Sequence, residues 1–207
     1  SSFGISLDLG ASLKLDTNSR ISLSNNDGNT ENTVFGYHAL TNAGTVLGNV
    51  GADYNTAVGH LAMGTGTTLA AVNNVAVGYK ALEDITSGDY NTALGTQSLL
   101  NLTTGQENVA IGQGALNTAT TEAYNVAIGS GAMASVRNDG SDSNVAIGRE
   151  SFTGGTGLAL GNIVIGQDAM NSTGSNAQTG TIAIGHSALT ALTSGGNNLA
   201  IGYQAML

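Results

Sequence analysis

The chain has 207 residues and a composition unlike that of an ordinary globular domain. Charged residues make up 9% of it, against roughly 25% in average soluble proteins, and 31 residues are glycine. The absence of cysteine excludes a disulfide scaffold, a zinc finger and a thiol nucleophile. With 5 basic and 14 acidic residues, the chain does not fit a nucleic-acid binder, because such proteins bind phosphates through clustered lysine and arginine.

Neither membrane insertion nor a signal peptide is expected. Apolar residues occur in short runs, the longest at 69–72, whereas a membrane helix needs about 18. The chain opens with Ser1 and Ser2 and has no basic segment before an apolar stretch. Because it does not begin with methionine, we expect a processed chain or a fragment.

Residues 1–31 differ in pattern from the rest of the chain. Ile5, Leu7 and Leu9 alternate with polar residues, and similar alternation returns at 13–15 and 21–23. A period of two is typical of short amphipathic strands. The sequence therefore predicts an N-terminal β-strand cap or connector over residues 1–31.

From residue 32 onward a single motif recurs ten times, represented by Asn-Val-Ala-Ile-Gly at 125–129. Asparagine opens nine copies and Thr181 opens the other, and a large apolar residue always precedes the glycine. Successive repeat glycines are roughly 17 to 23 residues apart, a period typical of repeat architectures. These repeat glycines are Gly36, Gly59, Gly78, Gly95, Gly112, Gly129, Gly148, Gly166, Gly185 and Gly202.

Each copy predicts a short strand followed by a turn. In the copy at 125–129, Val126 and Ile128 are expected on one face and Ala127 on the other. A small residue at that position predicts close contact with another sheet or another chain. Gly129 fits a position that needs positive φ or close backbone approach. The segment after the glycine, such as Ala132-Met133, is expected to form a second short strand.

The length of the repeat determines the predicted architecture. A unit of about 17 to 19 residues is too short to form a domain, so each copy must be one coil of a solenoid. Equivalent positions then stack in parallel along the coils. We predict an all-β fold in which residues 32–207 form a parallel β-solenoid, or β-roll, of about ten coils. Because one coil has little core of its own, we also expect association with further copies of the chain.

The Asn-x-Val-Ala-Ile-Gly motif resembles the head repeats of trimeric autotransporter adhesins, and the resemblance covers residues 32–206. The same repeat is found in tail-fibre proteins of tailed phages, where a leader similar to 19–27 often precedes the first copy. The resemblance implies a left-handed parallel β-roll in which three chains associate side by side. The coils of this chain are longer than those of the adhesins, which favours the phage proteins.

This resemblance implies a structural and adhesive fibre protein of a phage virion that contributes to host-surface attachment. The expected partners are two further copies of the chain, other fibre or baseplate proteins, and a host receptor, expected to be a glycan. One alternative is the head of a bacterial trimeric surface adhesin. A remote alternative is a left-handed β-helix acyltransferase, whose hexapeptide period does not divide into these repeats. We predict no enzymatic activity, catalytic residue, cofactor or metal site.

Histidines and tyrosines recur at fixed places in the repeat. His60 and His186 directly follow a repeat glycine, and His38 lies two places after one. All three are interpreted as variable surface positions, and His60 and His186 lie several coils apart, too far to share a metal. The six tyrosines either follow a glycine or precede a repeat asparagine. Packing at a coil corner is favoured over an aromatic platform for sugars.

Charged loops are the remaining candidates for a site. The pair Glu83-Asp84 and the pair Asp139 and Asp142 match no calcium-loop pattern, so solvated loop charge is the favoured interpretation. Ligand recognition is expected in the loops between coils, because few buried contacts depend on them. The longest are 41–54 and 65–73. The mixed-charge loop supplies the candidate ligand-binding residues Arg137, Asn138 and Asp139.

Overall fold

A computed structural model describes residues 32–40, 51–65, 70–136, 139–155 and 157–207. The predicted N-terminal connector at 1–31 lies outside these residues. Throughout the described residues the fold is all-β, a parallel β-solenoid with no helix. The predicted fold class is confirmed at this level.

One strand lies at each predicted copy of the motif, and ten such strands form a single parallel sheet. The ten strands are β1 Thr33–Phe35, β2 Thr56–Val58, β3 Val75–Val77, β4 Thr92–Leu94, β5 Val109–Ile111, β6 Val126–Ile128, β7 Val145–Ile147, β9 Ile163–Ile165, β11 Ile182–Ile184 and β12 Leu199–Ile201. Two shorter strands, β8 Ala159–Leu160 and β10 Gln178–Thr179, pair in a second, small parallel sheet.

The ten strands pair without any shift in register. Val126 lies beside Val145, Ala127 beside Ala146 and Ile128 beside Ile147, and the same correspondence holds along the sheet. Equivalent positions of successive repeats therefore form columns that run perpendicular to the strands. Each column is described below by its place relative to the repeat glycine.

The predicted second strand is wrong. After the repeat glycine the backbone alternates between negative and positive φ, as at Glu150 with φ 52° and Phe152 with φ 48°. This alternation forms turns instead of an extended segment. The segment still bonds to its neighbour, because the Met133 amide donates to the Ser151 carbonyl at 3.0 Å. Coil-to-coil hydrogen bonds thus continue beyond the strands.

The core lies between the strands and these turns. The central strand residue points inward, and the residue four places after the glycine points toward it from the opposite wall. Ala127 and Met133 are both fully buried in this way. The predicted close contact at Ala127 is therefore inside the coil of its own chain, and the idea that this face packs on a neighbouring chain is wrong. The large residues of this wall are Leu40, Met63, Leu82, Leu99, Leu116, Met133, Phe152, Met170 and Leu189.

A buried column of asparagines runs beside the strands. Asn108 accepts a hydrogen bond at Oδ1 from the Asn125 amide at 3.0 Å. Its Nδ2 donates to Asn91 Oδ1 at 3.0 Å and to the Glu122 carbonyl at 2.8 Å. Buried polar groups cost free energy unless they are paired, and this column pairs both its own groups and the backbone of the adjoining loops. The recurring asparagine is thus a structural requirement of each coil.

The repeat glycines turn the chain away from each strand. Gly112 has φ 130°, and a Cβ at that residue would lie 2.5 Å from the Gly129 carbonyl oxygen. An L-residue would meet both an unfavourable φ and a backbone atom of the next coil. The predicted need for glycine here is confirmed.

Candidate functional site: the outer face of the sheet

The outer face of the ten-stranded sheet consists of the first and third residue of each strand. Since side chains alternate along a strand, burial of the central residue directs both neighbours outward. The first-residue column contains Thr33, Thr56, Val75, Thr92, Val109, Val126, Val145, Ile163, Ile182 and Leu199. The third-residue column contains Phe35, Val58, Val77, Leu94, Ile111, Ile128, Ile147, Ile165, Ile184 and Ile201. Neither column contains a charged residue, and threonine is the only polar type.

This outer face is left open to solvent by the described residues of a single chain. Leu94 is 46% exposed and Ile163 is 39% exposed, and Val126 and Ile128 are partly exposed. Parallel sheets are ordinarily covered on both faces, and their strands are apolar on both sides for that reason. Here the strands have that apolar character, but among the described residues only the inner face is covered. The outer face is therefore the main candidate for an interaction surface.

One border of the outer face is the post-glycine column, the residue directly after each repeat glycine. Every member is exposed. Aromatic rings meet at both ends of the column: His60 lies 5.4 Å from Tyr37 and 5.5 Å from Tyr79, and His186 lies 5.5 Å from Tyr203. The column contains Tyr37, His60, Tyr79, Thr96, Gln113, Ser130, Arg149, Gln167, His186 and Tyr203.

The histidines occupy the positions expected of them. His60 and His186 are exposed members of the post-glycine column, and His38 is exposed beside Tyr37 with its ring 4.0 Å away. The interpretation as surface positions is confirmed. Among the residues that the structure describes, no group of three or more histidine, aspartate or glutamate side chains could hold a metal ion.

The pre-asparagine column, the residue directly before each repeat asparagine, lies beyond the other end of the strands. All its described members are exposed and have φ between 55° and 64°. The tyrosines here are 46% to 59% exposed, and packing at a coil corner remains a prediction for them. The described members are Tyr54, Asn73, Tyr90, Glu107, Tyr124, Ser143, Gly161, Gly180 and Asn197.

Of the pair Glu83-Asp84, both predicted to be solvated loop charge, Glu83 departs from the prediction. Glu83 is buried, and its carboxylate lies 3.0 Å from Lys80 Nζ. The hydrogen bond with Glu83 raises the pKa of Lys80 above its ordinary value of 10.5. Asp84 accepts a hydrogen bond from Thr65 Oγ1 at 2.8 Å. The Asp84 hydrogen bond therefore joins two successive coils, while the Glu83 ion pair lies within one turn.

Of the predicted ligand-binding residues, Arg137 and Asn138 lie outside the described residues. Asp139 is exposed and accepts a hydrogen bond from Thr121 Oγ1 at 2.9 Å. Asp142 accepts one from the Ala123 amide at 2.8 Å, which joins two successive coils. A role of this loop in recognition remains a prediction.

Comparisons with protein-family models, with curated proteins and with solved structures gave no match to this chain. In the described part of the chain, no helix has the length and apolar character needed to span a membrane. Assignment of a function therefore depends on the surfaces described above.

Proposed function

We propose that the chain is a structural and adhesive segment of a trimeric fibre, of the kind that forms phage tail fibres. In this proposal three copies associate side by side through the outer face. The single observation that carries the proposal is an uncharged apolar face on a parallel sheet of ten strands, uncovered by the described residues of one chain.

The repeat pattern supports other copies of the same chain as the occupant of this face. The two outer columns continue through all ten strands, so an equally long and equally apolar partner is needed to cover them. A second copy of the chain has an outer face of the same length and the same apolar character. Closed symmetry is the usual arrangement of identical chains. Three copies, the left-handed β-roll and the full set of ten coils follow from the resemblance of the repeat.

A fibre role also agrees with the mechanics of the fold. Each coil contacts only its neighbours, so a solenoid extends by adding coils without changing the existing ones. The variable side chains lie on exposed columns and in loops, where changes leave the core intact. Such a molecule is suited to projecting a binding surface away from a particle.

Light scattering of the purified 207-residue chain tests the assembly. We expect a mass about three times the 20.6 kDa of one chain. The double variant Ile111→Asp and Ile128→Asp places charge in the third-residue column and is expected to give a folded monomer by circular dichroism. The matched control, Gln113→Asp and Ser130→Asp, changes the exposed post-glycine column of the same coils and should remain trimeric. A wild-type monomer would contradict the proposed assembly.

Attachment is tested separately from assembly. Labelling intact phage particles and bacterial cells with an antibody against this chain distinguishes a virion fibre from the head of a bacterial adhesin. Replacing 137–140 with a Gly-Ser linker should leave the trimer intact and reduce attachment to host cells. If replacing this loop, 41–54 and 65–73 leaves attachment unchanged, the loops do not recognise the receptor.

A further inference from the structure

Three tyrosines of the pre-asparagine column adopt the left-handed φ that recurs in every coil, and they do so at the surface. Tyr54, Tyr90 and Tyr124 have φ of 61°, 58° and 60° and are 46% to 59% exposed. Bulky residues rarely adopt the left-handed region, and each such case costs on the order of 1–3 kcal/mol. The equivalent positions in later coils hold Gly180 and Asn197, which adopt this φ readily. The tyrosines therefore add strain without adding to the core.

Backbone hydrogen bonds hold the column in regular order. The Tyr90 amide donates to the Val72 carbonyl at 3.1 Å, and the Tyr124 amide donates to the Gln106 carbonyl at 3.0 Å. Each bond joins one coil to the preceding one, so successive members are one strand spacing apart, about 4.8 Å. The three tyrosines occupy alternate coils and thus recur at about 9.6 Å. Asn73 and Glu107 occupy the coils between them.

The surface around the column combines flat rings with hydrogen-bonding groups. Tyr90 and Glu107 line a shallow depression. Gln106 Nε2 donates to Tyr124 Oη at 2.7 Å, which restrains the direction of that ring. Restrained aromatic side chains provide large contact areas at low entropic cost.

We infer that the tyrosine strip, defined as Tyr54, Asn73, Tyr90, Glu107 and Tyr124, binds a neutral β-linked polysaccharide in extended form. The aromatic faces carry partial negative charge and suit the C–H groups on the flat face of a sugar ring. Successive sugars of an extended β-linked chain are flipped, so every second ring presents the same face. An alternate-coil spacing of about 9.6 Å matches one disaccharide unit. The intervening polar residues meet the hydroxyl groups of the other sugars.

Charge selects a neutral chain over an anionic one. The strip contains the carboxylate of Glu107 and no lysine or arginine, and the whole chain has a formal net charge of −9. Sulfated or carboxylated glycans would be repelled, since no cation in the strip compensates their charge. This inference deepens the proposed adhesive function and rests on it for its biological meaning, but binding itself is measured without cells.

Isothermal titration calorimetry with defined oligosaccharides tests the strip. We expect the 207-residue chain to bind cellohexaose or chitohexaose, which span three disaccharide units, at least about tenfold more tightly than the corresponding disaccharides. Maltohexaose, which is α-linked and curved, and a heparin hexasaccharide should bind at least about tenfold more weakly than the preferred β-linked hexasaccharide. Equal affinity for disaccharide and hexasaccharide would overturn the inferred spacing.

A triple variant, Tyr54→Asn, Tyr90→Asn and Tyr124→Asn, tests the residues. Asparagine suits this φ, so the melting temperature should stay the same or rise, while affinity for the β-linked hexasaccharide falls at least about tenfold. The matched control, Tyr37→Thr, Tyr79→Thr and Tyr203→Thr, removes three exposed tyrosines from the post-glycine column and should keep the affinity. Threonine occurs in that column at Thr96.

Two results would overturn the inference. One is no measurable binding of either β-linked hexasaccharide by the wild-type chain. The other concerns the tyrosine-to-asparagine triple variant. If it keeps its affinity, the tyrosines do not bind the sugar; if it loses the oligomeric state of the wild type, the strip is a contact between chains. If sugar binding and its dependence on the tyrosines are found but attachment to cells does not need this chain, the proposed function fails and the sugar-binding site remains.

Discussion

The inner face of the sheet buries small apolar residues, while the outer face exposes large ones, which is the reverse of the usual distribution. In β6 the small Ala127 is fully buried, while the larger Val126 and Ile128 are partly exposed. Ordinarily the large aliphatic residues are the most buried. In this chain alanine is enough for the inner face, because Met133 and its equivalents fill the coil from the opposite wall.

This difference in burial between the two faces shows that a single chain covers the inner face but leaves the outer face exposed among the described residues. The interior is closed, with its asparagine groups hydrogen-bonded and its alanines inaccessible to solvent. The outer face presents valine and isoleucine in unbroken columns and has no covering layer among the described residues. The stability of the coil is therefore a property of the inner face, and association between chains a property of the outer face. Substitutions on the two faces should separate these properties.

The largest effect is expected for Ala127→Glu. The substitution places an unpaired carboxylate in a layer with no solvent access, which should destabilise the chain by about 4 kcal/mol or more. Ser130→Glu, at an exposed position of the same coil, should change stability by less than about 0.5 kcal/mol. Thermal unfolding compares them, and equal melting temperatures would show that the inner face has been misassigned.

A cavity on the opposite wall is expected to have the next largest effect. Met133→Ala removes a fully buried side chain and should cost about 2–4 kcal/mol in unfolding free energy. Met206 occupies the same place in its repeat but is 59% exposed. Met206→Ala should therefore cost less than about 0.5 kcal/mol in urea unfolding. Similar costs at both positions would argue against this description of the core.

The asparagine column is tested by Asn108→Ala. The change leaves the buried Asn125 amide and Glu122 carbonyl without their side-chain partner and should cost about 2–3 kcal/mol. Thr181→Asn restores the common residue of the column and serves as the control, with no loss expected in chemical denaturation. If Asn108→Ala costs nothing, the column does not stabilise the coil.

The smallest effect concerns the ion pair of Lys80 and Glu83. Because the pKa of Lys80 is raised in the folded state, its contribution is fully present below 10.5 and is lost as the pH rises above that value. The difference in melting temperature between the wild type and Lys80→Met should thus shrink at high pH. Arg149→Met, which removes an exposed ion pair with Glu150, is the control. A difference for Lys80→Met that persists well above pH 10.5 would contradict the prediction.

Much of the fold was predictable because the repeat is a strong constraint. Alternation around Ala127 and the glycine after it locate β6, and repetition of that pattern places the other nine strands of the sheet. Identical units of this length that stack in parallel must pair equivalent residues, so the register followed as well. The need for glycine at positions such as Gly112 was also predictable, because glycine recurs there in every copy. The structure gives the reason: a Cβ at Gly112 would collide with Gly129.

The candidate surfaces were less predictable. The two outer columns were visible as an apolar pattern, but their lack of cover was not. In the sequence, recurrence of Tyr54, Tyr90 and Tyr124 at one position of the repeat favours packing over an exposed platform. Recurrence shows that positions are equivalent, and it does not show on which side of the backbone they lie. The structure shows these residues at positive φ and about half exposed, with the amides of Tyr90 and Tyr124 bonded to the preceding coil.

By itself, the sequence determined that short parallel strands stack in register, that glycine turns each strand and that two faces of different size exist. Only the tertiary structure decided that the small face is the interior. A period of two separates the faces of a strand without saying which is covered, because that depends on what lies opposite. Here the turn after Gly129 alternates in φ and brings Met133 against Ala127, which leaves room inside for a methyl group and turns Val126 and Ile128 outward.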